Sequence, residues 1–85
     1  MFENRLNEIQ RALLERNIIC LEGDVDGPMV DQVHDSLLEL ESRDSPEIEV
    51  RIYTDGGRVH AGLAIYDFFR RYTGKKTGVV HGYAR

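Results

Sequence analysis

The sequence predicts an α/β fold with a parallel sheet, and three observations support this prediction. Helical and strand-like hydrophobic patterns alternate along the chain, which favours parallel strands joined by helical crossovers. The strand-like runs are short and rich in β-branched residues, as in strands that are buried in a sheet. Polar stretches with glycine or proline separate the patterns, and 85 residues are enough for one small domain.

The first half of the chain predicts a helix, a strand and a second helix. Apolar residues at spacings of three and four predict an amphipathic helix over about residues 4–14; they are Phe2, Leu6, Ile9 and Leu13. The apolar run Ile18–Leu21 predicts a buried strand. A second helix is predicted from Pro28 to about Ser42, because proline suits the first helical turn and Asp26 can accept hydrogen bonds from its free N–H groups.

The second half of the chain predicts a strand, a helix and a third strand. Alternating apolar and polar residues predict a strand over Glu47–Tyr53 with one polar face. A helical pattern follows over about residues 58–72, and a last strand is predicted over Thr77–His81. Ligands of open α/β folds bind beyond the carboxyl ends of the strands. Since Gly82–Arg85 alone follow the third strand, we expect the site at this edge to be incomplete within these residues.

Composition and charge argue against several classes of function. A net charge of −4 disfavours nucleic acid and anionic membranes as partners, because both select basic surfaces. Cys20 is the single cysteine, so no internal disulfide forms. No apolar run approaches the roughly 20 residues that span a bilayer, and the first residues lack the apolar core of a signal peptide. The sequence therefore predicts a cytoplasmic protein with no membrane or nucleic-acid partner, and it gives no indication of a cofactor or a metal.

Two adjacent glycines, Gly56 and Gly57, stand between the second strand and the third helix. At the N-terminus of a helix, free N–H groups and the helix dipole form a binding site for an anion. The anion could be a phosphate or the oxyanion of an acyl-transfer intermediate. An ordinary strand-to-helix turn would also use glycine. The spacing from Gly57 to Gly62 matches a P-loop, but Leu63 and Ala64 occupy the positions of its lysine and hydroxyl residues. The oxyanion and the ordinary turn remain the two interpretations.

Three stretches resemble the proteolytic subunit of the ATP-dependent Clp protease, a family of serine peptidases. They are RNIICLEGDVD, YTDGGRVHAGLAIYD and GYAR, at Arg16–Asp26, Tyr53–Asp67 and Gly82–Arg85. The middle stretch is the most specific, because it keeps the family pattern GG-x-V-x-AG-x-AIYD. The resemblance predicts one partial domain: an N-terminal helical segment at 1–15, and at 16–85 the N-terminal half of a Clp protease-like domain.

The resemblance implies the spiral of ββα-type units that Clp proteolytic subunits share with crotonases, and a Ser-His-Asp endopeptidase. The family's glycine pair supplies a backbone N–H to the oxyanion hole; Gly56 and Gly57 match that pair, with Gly57 favoured as the donor. The same segment of the family binds the substrate backbone, and here it contains Asp55, Arg58 and Val59. The family's nucleophile would immediately follow Arg85, so the resemblance implies that residues 1–85 contain no catalytic residue and are inactive alone.

The residues of the chain do not suggest a replacement triad. The serines lie on a predicted helix or in a polar break; they are Ser36, Ser42 and Ser45. The histidines are spread over three elements without metal-ligand spacing; they are His34, His60 and His81. Cys20 lies within an apolar strand, where cysteine is more often a buried hydrophobic residue than a nucleophile.

The resemblance also implies partners: seven-membered rings stacked in pairs, hexameric AAA+ ATPases, and unfolded polypeptide as substrate. Assembly would help so short a chain, which alone buries only about 60–65% of its unfolded surface. Tyr53, Asp55, Tyr83 and Arg85 depart from the family pattern and indicate a divergent member. Two alternatives are a non-catalytic assembly or regulatory module and a crotonase-type acyl-CoA enzyme, and the AGLAIYD and GYAR stretches argue against the second.

Overall fold

The computed structural model describes residues 6–54 and 56–81, with the backbone alone for 79–81. Within these residues, helices and strands alternate as the sequence predicts, and the strands form one parallel sheet in the order β1-β2-β3. The elements are α1 (Glu8–Glu15), β1 (Ile18–Glu22), α2 (Gly27–Glu41), β2 (Ile48–Tyr53), α3 (Val59–Arg71) and β3 (Lys76–His81). The predicted α/β fold with parallel strands and flanking helices is confirmed.

The register brings the carboxyl ends of all three strands to the same row of the sheet. Glu22 of β1 is the partner of Tyr53 of β2, and Tyr53 is the partner of His81 of β3. The chain therefore leaves every strand at one common edge. This edge is where an open parallel sheet positions its ligand-binding loops.

The hydrophobic core lies between the sheet and the helices. Ile19 of β1 is the partner of Val50 of β2, and both side chains are buried in the core. Val33 and Leu40 of α2 are fully enclosed. The buried cluster joins all three helices to the sheet; its other members are Leu6, Leu14, Leu21, Met29, Leu37, Ile48, Ile65 and Tyr72.

Local capping explains where the first two helices begin. The side chain of Asn7 accepts a hydrogen bond from the Gln10 N–H (2.8 Å) and the Gln10 side chain accepts one from the Asn7 N–H (3.0 Å). This capping box fixes the start of α1 at Glu8, four residues later than the periodicity predicts. Residues 1–5 of the predicted N-terminal helical segment lie outside the described part of the chain. At α2, Asp26 is the N-cap and accepts from the Met29 N–H (3.1 Å), as predicted.

A buried tyrosine joins the end of α3 to the loop before β2. The hydroxyl of Tyr72 donates a hydrogen bond to the carbonyl oxygen of Pro46 (2.5 Å). Lys76 donates from Nζ to the carbonyl oxygen of Tyr72 (2.7 Å) and so occupies one of the free carbonyls at the helix end. In the part of the chain that is described, no helix has the length and apolar character needed to cross a membrane.

Candidate functional site

The loops that follow β1 and β2 lie side by side at the carboxyl edge of the sheet. The N–H of Gly23, just after β1, donates to the carbonyl oxygen of Tyr53 (3.1 Å). Further along, Val25 and Gly57 form an isolated parallel bridge. The pairing of the two strands therefore continues into the loops and holds the glycine pair against the first loop.

The second loop contains one more residue than the first between these two points of pairing. Glu22 pairs with Tyr53 and Val25 pairs with Gly57, so the β2 side carries an extra residue, as in a β-bulge. Gly56 lies in this bulge with a φ of +112°, a conformation that glycine adopts without steric cost. The hydroxyl oxygen of Thr54 accepts a hydrogen bond from the Gly56 N–H (3.1 Å) and stabilises the turn.

Gly57 is required for a different reason, which is the close approach of another backbone. A Cβ atom on Gly57 would lie 2.6 Å from the nitrogen and 2.9 Å from the Cα of Val25, and it would also overlap the Val25 carbonyl oxygen. No side chain fits between the two segments. Gly56 is therefore needed for the backbone conformation of the bulge, and Gly57 is needed for the close contact between the two loops.

The bridge between Val25 and Gly57 also determines which backbone N–H groups of this segment form hydrogen bonds. The N–H of Val25 donates to the Gly56 carbonyl (3.1 Å), and the N–H of Arg58 donates to the Val25 carbonyl (2.9 Å). In an extended strand, the N–H of a residue points to the edge opposite to those of its neighbours. The Gly57 N–H therefore points away from Val25, toward the side of β2 on which β3 lies. Among residues 6–54 and 56–81 it has no acceptor.

The start of α3 lies directly beside this N–H. The helix begins at Val59 after the N-cap Arg58, which makes no side-chain capping hydrogen bond. The Gly62 N–H closes the first turn on the Arg58 carbonyl (3.0 Å), so the N–H groups of the first three helical residues have no acceptor within the helix. The positive end of the helix dipole thus adds to the field near the free Gly57 N–H.

The structure brings together four of the five residues that the sequence singles out for a site. Gly56, Gly57, Arg58 and Val59 form one continuous segment at the carboxyl edge, and Asp55 lies outside the described residues. The N–H groups of Gly56 and Arg58 are already bonded, to Thr54 and Val25 respectively. Arg58 and Val59 are exposed, Val59 by 73%.

Sequence reasoning missed two residues that shape this segment, Val25 and Thr54. A threonine two residues before a glycine could have indicated the side-chain turn, because threonine hydroxyls commonly bond to the backbone two residues on. Val25 lies in the Arg16–Asp26 stretch, but no local pattern there indicated its contact with Gly57, which is far along the chain.

Four nucleophilic or basic side chains lie in other parts of the described chain: Ser36, Ser42, Cys20 and His34. Ser36 is buried in α2, and the hydroxyl of Ser42 donates to the Glu39 carbonyl (2.5 Å). Burial, followed by a hydrogen bond to Glu22, raises the pKa of the Cys20 thiol and makes it a poorer nucleophile at neutral pH. The ring of His34 packs against Phe68 with a centroid separation of 5.2 Å. In the described residues, no three His, Cys, Asp or Glu side chains cluster in a way that could hold a metal ion.

Comparison with known proteins assigns the chain to a family. The Clp protease family model matches residues 2–85. The ATP-dependent Clp protease proteolytic subunit 1 of Borreliella burgdorferi is 44% identical over 64 residues, which cover 74% of this chain and 33% of that protein. The ATP-dependent Clp protease proteolytic subunit 3 of Streptomyces coelicolor is 36% identical over 85 residues, covering 98% of this chain and 37% of that protein.

The chain spans about a third of the length of these curated relatives. The match nevertheless includes the strand, the double glycine and the helix that build the segment described above, and it extends over nearly the whole chain. With this match and this fold, the chain belongs to the Clp protease family, as a relative of its proteolytic subunits.

Proposed function

We propose that this chain is part of a serine endopeptidase subunit and that Gly57 supplies one donor of its oxyanion hole. The observation that carries the proposal is the free Gly57 N–H. It points away from Val25 and has no acceptor among the described residues. The bond of the Gly56 N–H to Thr54 supports the assignment to the second glycine rather than to the first.

The chemistry of peptide hydrolysis requires such a donor. Attack on the scissile carbonyl turns its oxygen into an oxyanion, which is stabilised by backbone N–H groups that are already held in position. The bridge to Val25 restrains the Gly57 backbone before a substrate binds, and the start of α3 adds a positive field. In serine peptidases, loss of one oxyanion donor typically costs about 3–4 kcal/mol of transition-state stabilisation.

The nucleophile of the proposed enzyme would immediately follow Arg85. Tyr53 and His81 are partners in the sheet. Gly57 lies four positions beyond Tyr53, and the position after Arg85 lies five beyond His81. The catalytic histidine and aspartate would lie further along the polypeptide, and residues 1–85 alone would not hydrolyse peptides.

The same segment would hold the backbone of the substrate. The N–H of Gly57 and its carbonyl face one edge, and an extended peptide can add to such an edge as a further strand. Arg58 and Val59, both exposed, would face the side chains of this peptide, and Asp55 would complete the cleft. The substrates would be unfolded polypeptides, delivered by an AAA+ ATPase to stacked seven-membered rings of subunits in the cytoplasm. Membership of the family and the ATP-dependent relatives support this part of the proposal.

The proposal can be tested on the protein made from the complete reading frame. The coding sequence after the Arg85 codon is expected to begin with serine and methionine. A fluorophosphonate probe, which reacts with activated serines, should then label that serine, and its replacement by alanine should abolish both labelling and hydrolysis of a fluorogenic peptide. Ser42→Ala is the matched control, because the Ser42 hydroxyl is bonded to Glu39, and it should leave labelling unchanged.

The opposite outcomes identify the alternatives. A reading frame without a serine at that position would refute the peptidase proposal and favour a non-catalytic module that binds other Clp subunits. Co-purification with a full-length Clp proteolytic subunit would then be the next measurement. Labelling that persists without that serine would also contradict the proposal.

A further inference from the structure

We infer that Val25 is a positioning residue for the Gly57 N–H, so that the loop between β1 and α2 sets the geometry of the oxyanion donor. This inference rests on the proposed function and deepens it, because it names a residue that touches neither the substrate nor the oxyanion. Val25 acts through three features of the structure: its backbone hydrogen bonds, the anchoring of its loop and the packing of its side chain.

The backbone of Val25 contacts the glycine segment on both sides of Gly57. Its N–H donates to the Gly56 carbonyl (3.1 Å), and its carbonyl accepts from the Arg58 N–H (2.9 Å). These two bonds fix the peptide planes before and after Gly57 and hence the direction of the Gly57 N–H between them. The missing Cβ of Gly57 allows the approach, since any side chain there would overlap Val25.

The loop that carries Val25 is itself fixed at both ends. On one side, the Gly23 N–H donates to the Tyr53 carbonyl (3.1 Å) and extends the pairing of β1 with β2. On the other side, Asp26 caps α2 by accepting from the Met29 N–H (3.1 Å). The sheet and α2 therefore restrain the position of Val25. Through its bonds to Gly56 and Arg58, Val25 in turn restrains the backbone of Gly57.

The side chain of Val25 links the same loop to α3. It is partly buried and packs against the core, and its Cγ1 lies 3.8 Å from the point that a Cβ on Gly62 would occupy. Gly62 lies in the first turn of α3, whose first three N–H groups have no acceptor within the helix. A shift of Val25 would thus change both the Gly57 N–H and the start of the helix.

The variant V25P tests the role of the backbone hydrogen bond. Proline lacks an N–H, so the bond to Gly56 is lost while the side chain remains apolar. In the protein from the complete reading frame, we expect kcat for a fluorogenic peptide to fall about tenfold or more, with KM changed less than about threefold, because a small displacement of an oxyanion donor affects the transition state rather than substrate binding. V25A keeps the N–H and should lose less kcat than V25P.

T73P is the matched control for introducing proline into a loop. The Thr73 N–H has no acceptor among the described residues, and the preceding Tyr72 has the extended conformation (φ −66°, ψ 125°) that a residue before proline prefers. T73P should keep the wild-type kcat. If V25P keeps the wild-type kcat while it folds normally, or if T73P loses as much kcat as V25P, the inference is wrong.

Amide hydrogen exchange of the wild-type protein gives a second test that needs no variant. The amides of Val25 and Arg58 donate in the bridge and should exchange at least about tenfold more slowly than the amide of Gly57. An unprotected Arg58 amide would overturn the inference even if V25P failed to fold. A wild-type protein without any peptidase activity would instead refute the proposed function and the positioning role with it, so the two failures can be told apart.

Discussion

Replacement of Gly57 by alanine is the sharpest test of the contact between the two loops. The added Cβ would lie 2.6 Å from the nitrogen and 2.9 Å from the Cα of Val25. Real Cβ atoms do not approach backbone atoms this closely, and a backbone cannot rotate away as a flexible side chain can. One of the two loops therefore has to move by several tenths of an ångström.

The expected cost of this movement follows from measured overpacking. An extra methyl group forced into a packed site destabilises the folded state by about 1–3 kcal/mol. Alanine also lowers the conformational entropy of the unfolded chain, which offsets about 0.4–1 kcal/mol of this loss. We expect Gly57→Ala to lower the free energy of unfolding by about 1–2 kcal/mol. For a domain of this size, this loss lowers Tm by about 5–15 °C. The loss is a large share of the roughly 4–13 kcal/mol of unfolding free energy that is typical of 85 residues.

Thermal and urea unfolding of the wild-type protein and the variant measure this difference. Both proteins should be compared at one protein concentration, because assembly makes Tm depend on concentration. Gly78→Ala is the matched control: Gly78 lies in β3, and a Cβ there would have no described atom within 4 Å. It should be neutral or gain about 0.5 kcal/mol, because glycine is less favourable than alanine inside a strand.

Two results would refute the steric argument. The first is a Gly57→Ala variant whose free energy of unfolding lies within about 0.5 kcal/mol of the wild type, well below the cost of overpacking. The second is a Gly78→Ala control that loses as much stability as Gly57→Ala. The first result would contradict the close approach of Val25 to Gly57 in solution, and the second would show that the loss of stability is not specific to that contact.

Three further predictions concern the core, pH and thiol reactivity. Leu40→Ala should cost about 2–5 kcal/mol in urea unfolding because Leu40 is fully buried, whereas Leu38→Ala, in the same helix but 39% exposed, should cost less than about 1 kcal/mol. Burial raises the pKa of Tyr72 above its usual 10.0, so the folded state keeps the phenol proton more tightly and stability falls as pH rises above about 10. The stability advantage of the wild type over Tyr72→Phe should therefore shrink between about pH 9 and pH 11. Burial and then Glu22 raise the pKa of Cys20, so Glu22→Gln should lower it and speed alkylation by iodoacetamide at about pH 8.

Each of these predictions has a contradicting outcome. Equal costs for the two leucine variants would mean that the side chain of Leu40 is not enclosed in solution. A wild-type advantage over Tyr72→Phe that stays constant with pH would contradict a raised pKa for Tyr72. An alkylation rate that Glu22→Gln leaves unchanged, at the same pH and temperature, would show that Glu22 does not influence Cys20.

The fold was predictable because its determinants are local or periodic. Alternating apolar residues in 47–53 and helical spacing in 28–42 and 58–72 identify elements whose bounds differ from the structure by at most one residue. The start of α1 was less predictable, because the capping box at Asn7 and Gln10 outweighs an apolar periodicity that continues toward the amino terminus.

For the proposed site, the sequence predicted a position but not the roles of the individual residues. The double glycine after a strand indicated the carboxyl edge of the sheet, and the structure brings Gly56, Gly57, Arg58 and Val59 together there. The pattern could not distinguish the roles of the two glycines. That distinction depends on the hydrogen bond of the Gly56 N–H to Thr54 and on the bridge from Gly57 to Val25.

By itself, then, the sequence determined the α/β class and the order of the elements, and the resemblance of three stretches indicated the family. Periodicity and turn residues encode the fold class and the order of the elements within short stretches of chain. Only the tertiary structure decided that Val25 meets Gly57 and that the Gly57 N–H has no acceptor among the described residues. The physical reason is that this contact joins two loops that are far apart in sequence. Neighbouring strands have to be in register before such loops can pair, and no local pattern of residues records that register.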